Sequence, residues 1–101
     1  MTEAEVYETY RLNSLPEHMR GAIYRYIQLG ISPGGFGRAV LENDLVGAFN
    51  KADDTNMFFM RRWVDWLYNY APPNCWGSPG NVVVWMAHQG LSNFKGGDAA
   101  P

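Results

Sequence analysis

The chain has one cysteine, Cys75, so no intrachain disulfide can staple it, which suits a reducing, cytoplasmic setting. Basic residues are few: eight Lys and Arg against ten Asp and Glu leave a formal net charge of −2. That balance argues against a grip on a nucleic-acid polymer without regard to sequence, which needs clustered Lys and Arg. The start, MTEAEVYETYR, lacks the basic and then apolar order of an export leader, so no export is expected. The longest strongly apolar run, VVVWMA at 82–87, is far short of the roughly 20 residues that cross a bilayer, and no membrane partner is expected. Paired metal-ligand spacings are missing too. His18, Cys75 and His88 are scattered along the chain and form neither a zinc motif nor a thiol–imidazole pair, so no metal or cofactor is expected.

What is present is enough for one core. At 101 residues the chain reads as a single domain that hides roughly two thirds of its unfolded surface. Hydrophobic residues make up 47% and aromatic residues 15%, with four Trp, six Tyr and five Phe. A single layer of short helices cannot bury that many rings, so some are expected at an interface or a pocket.

The pattern along the chain is helical throughout. In SLPEHMRGAIYRYIQLG, Ser14 and Glu17 have capping-box spacing, Pro16 sits in the first turn, and Gly30 supplies the stop. Met19, Ile23, Tyr26 and Ile27 recur at helical intervals and predict one buried face. The turn ISPGG follows, with Ser32 as the expected N-cap and Pro33 at the first helical position. Phe36, Val40 and Leu41 make a short apolar face, continued by Leu45, Val46 and Phe49. Asn43 and Asp44 compete with the backbone for hydrogen bonds between those two groups, predicting a kink or two short helices meeting there.

The segment ADDTNMFFMRRWVDWLYNYAPP carries the strongest helix signal. Asp53, Asp54 or Thr55 caps it, and Pro72 and Pro73 close it. Phe59, Trp63, Trp66 and Tyr70 make one apolar stripe, and Met60, Val64 and Leu67 make a second. The first stripe is the expected interface, and Arg61 with Asp65 has the spacing of an i,i+4 ion pair. Ser78 and Pro79 then repeat the N-cap and first-turn order, with Gly90 as the stop. NVVVW has strand propensity, but helix is expected for 79–89 because both flanking signals agree and no second strand is available. The expected architecture is all-α: a compact bundle of four to five short helices with flexible termini. Residues 1–13 form an N-terminal arm, 14–91 the helical domain, and 92–101 a flexible tail.

Two loops carry the small-molecule chemistry. Gly34 and Gly35 precede a helix N-terminus whose free N–H groups attract anions, and Arg38 would add a charged hydrogen bond. Neither a dinucleotide fingerprint nor a Walker motif is present, so the alternative is a tight turn that lets helices pack. In NCWGSPGN, Asn74, Trp76 and Ser78 combine a flat stacking surface with polar groups at another helix start. The alternative there is an interhelical turn with Trp76 covering the core. This block is the expected neighbour of the Arg38 turn. Among the carboxylates, Glu42, Asp44, Asp53 and Asp54 would have to converge in pairs for acid/base work, whereas capping is the simpler role.

The blocks GISPGGF, AVLENDL and CWGSP, within a stretch from about Pro16 to Leu91, resemble a group of short proteins encoded by bacteriophages and prophages. The resemblance implies a bacterial host cytoplasm as the setting and carries no activity with it. The leading expectation is therefore a small phage-type accessory protein, not an enzyme, that binds a protein partner such as a host factor or associates with itself. Its alternative is a module that sequesters a nucleotide or phosphorylated metabolite through Gly34, Gly35, Arg38, Asn74, Trp76 and Ser78. A small carboxylate hydrolase stands third.

Overall fold

Pro16 decides where the first long helix begins. A residue before proline is pushed out of the α region, and Leu15 is accordingly extended at φ −93° and ψ 161°. The helix therefore cannot run through from Ser14. In the computed structural model, which describes residues 1–93, α2 spans Glu17–Leu29 with Pro16 at the N-cap. The capping box expected from Ser14 and Glu17 does not form. Ser14 closes a 3₁₀ turn over Leu12–Ser14 and its hydroxyl donates to the Arg11 carbonyl.

Residues 1–13, expected as a frayed helix or arm, contain α1, Glu3–Thr9, started by a capping box between Thr2 and Glu5. Val6 in α1 and Leu12 just after it are fully buried, so this stretch belongs to the core. After α2, Gly30 stops the helix in the left-handed region, as its position predicts. The next start is later than expected. Gly34, at φ 94°, is the N-cap of α3, Gly35–Leu41, and neither Ser32 nor Pro33 takes part in that helix. Pro33 instead packs against Gly37, where a Cβ would come within 3.1 Å of its ring.

The Asn43–Asp44 break separates α3 from α4, Leu45–Lys51. Asn43 adopts φ 63°, and the Asp44 carboxylate accepts from the Gly47 N–H to cap α4. Asp53 caps α5, Asp54–Phe58, which meets α6, Met60–Asn69, at Phe59. A 3₁₀ turn over Pro73–Cys75 leads to α7, Pro79–Ala87, capped by Ser78, and a last 3₁₀ turn covers Gly90–Asn93. The fold is all-helical, with no strand among the described residues and 82–85 inside α7. It has seven α-helices there instead of four to five, because α1 is ordered and the 53–71 segment divides at Phe59. Residues 94–101, most of the expected tail, lie outside the described residues.

Hydrogen bonds from large aromatic residues join the elements. Trp63 donates to Asn56 at 3.2 Å, Trp66 to the Tyr10 carbonyl at 2.7 Å, and Trp85 to the Tyr26 carbonyl at 2.9 Å. The Tyr26 hydroxyl donates to the Cys75 carbonyl at 2.6 Å. Each buries a large ring while satisfying its polar atom, the condition for placing Trp and Tyr in a core. They tie α6 to α5 and α1, and α2 to α7 and the Pro73–Cys75 turn.

Candidate functional site

The break at Asn43 turns α4 so that its apolar residues only partly reach the core. Ala48 is buried, but Leu45 and Val46 are 68% and 69% exposed and Phe49 is 44% exposed. Across from them, α6 puts Trp63, Trp66 and Leu67 inside while leaving Val64 half exposed. Between the two helices lies a groove of about 290 Å³. Ala39, Val40, Ala48, Trp63 and Leu67 line it together with the more exposed Leu45, Phe49 and Val64. Its charged lining residues are Asp44 on the α4 side and Arg61 on the α6 side. Its size is at the lower end of the range for small-molecule pockets and its lining is mostly apolar. Such a groove suits one or two large apolar side chains.

The expected interface stripe is divided by the fold. Trp63 and Trp66 are interior, at 1% and 0% exposure, and cannot form a surface; Phe59 is partly buried against the core. Tyr70 remains 39% exposed, with the Arg11 guanidinium 5.3 Å from its ring centroid. The second stripe supplies the surface instead, through Val64. The signal for it was present in the sequence as Met60, Val64 and Leu67 next to the interrupted Leu45, Val46 and Phe49 run.

The two small-molecule loops do not share a pocket. Arg38 is engaged within the fold: its Nε donates to Glu42 at 2.8 Å, and Nη1 approaches the Met86 sulfur at 3.9 Å. Gly34 and Gly35 lie at the other end of α3, about 10 Å along the helix axis from Leu41. Gly35 is covered by the Lys51 side chain, which a Cβ there would approach to 3.1 Å. NCWGSP docks at the Leu41 end, where the Gly77 N–H donates to the Leu41 carbonyl at 2.8 Å. It therefore neighbours the end of α3 and not the glycine turn that precedes it.

Within that block the polar groups build the start of α7. The Ser78 hydroxyl accepts from the Asn81 N–H, and the Asn81 side chain donates to the Trp76 carbonyl at 2.9 Å. Trp76 is half-buried and meets Tyr68 edge-on at 5.5 Å between ring centroids. Asn74 lines a separate cavity of about 300 Å³ with Asn81, Val84, Trp85 and His88. A wider concavity of about 1270 Å³ runs beside α1, but Glu3, Glu8, Asn13 and Ser14 make much of its lining polar.

The carboxylates sit on separate duties. Glu42 pairs with Arg38, Asp44 caps α4, and Asp53 caps α5 while contacting His18 at 2.9 Å. The Asn56 N–H, and then His18, hold the Asp53 carboxyl below the usual range. Arg61 and Asp65 form no ion pair among the described residues. Burial pushes the Cys75 thiol up to about 12, away from thiolate chemistry at neutral pH. Among the described residues, no group of three or more His, Cys, Asp and Glu is placed to hold a metal ion, and no helix is long and apolar enough to cross a membrane.

No family model matches the chain, and neither a curated protein nor a solved structure does.

Proposed function

We propose that this chain is a non-catalytic accessory protein that works by binding an apolar polypeptide surface in the groove between α4 and α6. The observation that carries this reading is the exposure of Leu45, Val46 and Phe49 beside a groove whose opposite wall holds half-exposed Val64. An apolar surface of this kind, with charge confined to its edges, is the usual composition of a protein-binding site. The resemblance to phage-encoded proteins supplies the setting, the cytoplasm of a bacterial host.

The geometry favours this over nucleotide sequestration. An anion site built on Arg38 would have to take the guanidinium from Glu42, and the stacking surface of Trp76 lies at the opposite end of α3 from Gly34 and Gly35.

The test compares the wild-type chain with Val64→Glu, which puts a charge on the groove wall at a half-exposed position. Both serve as bait in bacterial lysate, and their assemblies are weighed by native mass spectrometry. The expected result is an association, with another protein or between copies, that the variant loses. A wild-type chain that stays monomeric and recovers nothing would refute the reading.

A further inference from the structure

We infer that the occupant of the groove is a second copy of this chain, the two copies facing each other through α4 and α6 across a two-fold axis. The inference rests on the protein-binding reading above and names the partner.

Charge complementarity carries it. The groove lining includes one carboxylate, Asp44 at the N-cap of α4, and one guanidinium, Arg61 in the first turn of α6. Arg61 makes no hydrogen bond or ion pair among the described residues, not even with Asp65 one turn along the helix. Asp44 is used by the Gly47 N–H, but a carboxylate has capacity for several donors. A surface with one charge of each sign on two different helices can be complementary to itself after a two-fold rotation. Asp44 of each copy then meets the partner's Arg61, and the pairing occurs twice. A partner of uniform charge would satisfy one of the two and be repelled by the other.

Apolar area and net charge agree with this arrangement. Leu45, Val46, Phe49 and Val64 offer several hundred Å² per copy, roughly half of the about 800 Å² per partner of a standard interface, which fits a small, concentration-dependent dimer. At a net charge of −2 per chain, repulsion between copies is small. In such an interface the apolar centre supplies affinity, while the two charge pairs fix register and make association salt-dependent.

Sedimentation velocity on the full chain over a concentration series tests this. The expected species has twice the 11.4 kDa chain mass. Val64→Glu should raise the dissociation constant at least tenfold, and Arg61→Glu should do so at low salt by placing two carboxylates together. The double exchange Asp44→Arg with Arg61→Glu should recover affinity over Arg61→Glu alone. Circular dichroism verifies that each variant is folded; Val64→Glu and Arg61→Glu, both on the exposed side of α6, decide the matter even if the Asp44 exchange weakens its helix cap. A wild type that is monomeric at millimolar concentration overturns the inference, as does a dimer that neither Val64→Glu nor Arg61→Glu weakens. If that monomer still recovers a partner that Val64→Glu loses, the protein-binding reading stands and only self-association fails. A monomer that recovers none takes both down.

Discussion

Removing one oxygen atom, by Tyr26→Phe, tests how the Pro73–Cys75 turn is held to the core. The Tyr26 hydroxyl donates to the Cys75 carbonyl at 2.6 Å, and both residues are 0% exposed. Phenylalanine keeps the ring packing, so the loss is confined to the hydrogen bond and to the desolvation of a carbonyl left without this donor. A buried acceptor stranded in this way costs about 1–3 kcal/mol. For a domain of this length each kcal/mol lowers Tm by about 4–8 °C, so a fall of about 4–24 °C is expected. Thermal melts and urea titrations would measure it, with an unchanged urea slope showing that the same surface unfolds. The Tyr26 carbonyl still accepts from Trp85 at 2.9 Å in the variant, which keeps α7 on α2 and isolates the phenol. A loss below about 0.5 kcal/mol would refute the reasoning, because a buried carbonyl deprived of its donor cannot be that cheap. Alkaline pH gives a second readout. Burial raises the Tyr26 ionisation well above its ordinary value of 10.0, so above that pH the unfolded chain loses this proton first. The stabilisation is complete below the unfolded value and is lost as pH rises. Tyr26→Phe should flatten that part of the stability profile.

The buried Cys75 thiol should resist a disulfide reagent in the native state and react fully once denaturant is added; rapid native reaction would contradict its burial. Its raised value, from 9.0 to about 12, makes stability fall between those pH values, and Cys75→Ser should reduce that slope in urea titrations across the same window. Gly90→Ala should destabilise by about 1–3 kcal/mol in melts, because Gly90 adopts φ 63° and a Cβ would overlap the Ile27 carbonyl oxygen; a neutral result would mean that the last turn moves freely off α2. Asp53 is held below its usual ionisation by the Asn56 N–H and His18, so its contribution is present above the unfolded value of 3.8 and disappears as pH falls through the folded one. Asp53→Asn should diminish the loss of stability on acidification; an unchanged acid limb would place that loss on other carboxylates.

Capping chemistry was legible where one residue decides the outcome locally. Ser78 followed by Pro79 starts α7 as its side chain and fixed φ require, Asp53 caps α5, and the Asn43–Asp44 pair divides two helices. Ser14 and Ser32 do not cap the helices that follow them. Pro16 made Leu15 extended and delayed α2, and the positive φ of Gly34 delayed α3. The division at Phe59 has no glycine or proline to announce it, and the apolar period runs through it unbroken.

An all-helical chain follows from residue order alone, because apolar spacing, caps and stops are properties of neighbours within a turn or two. Residue order also bounded the candidate site, by listing which apolar residues exist and which charges flank them. Which of those residues face outward depends on long-range packing. Trp63 and Val64 are adjacent on α6, yet one is buried in the core and the other stands half exposed at the groove, since a helix turns about 100° per residue and the packing of α3, α5 and α1 chose the buried side. Arg38 and Arg61 have the same charge at helix surfaces. Glu42 and Met86 engage the first, and the fold leaves the second at the edge of an apolar groove.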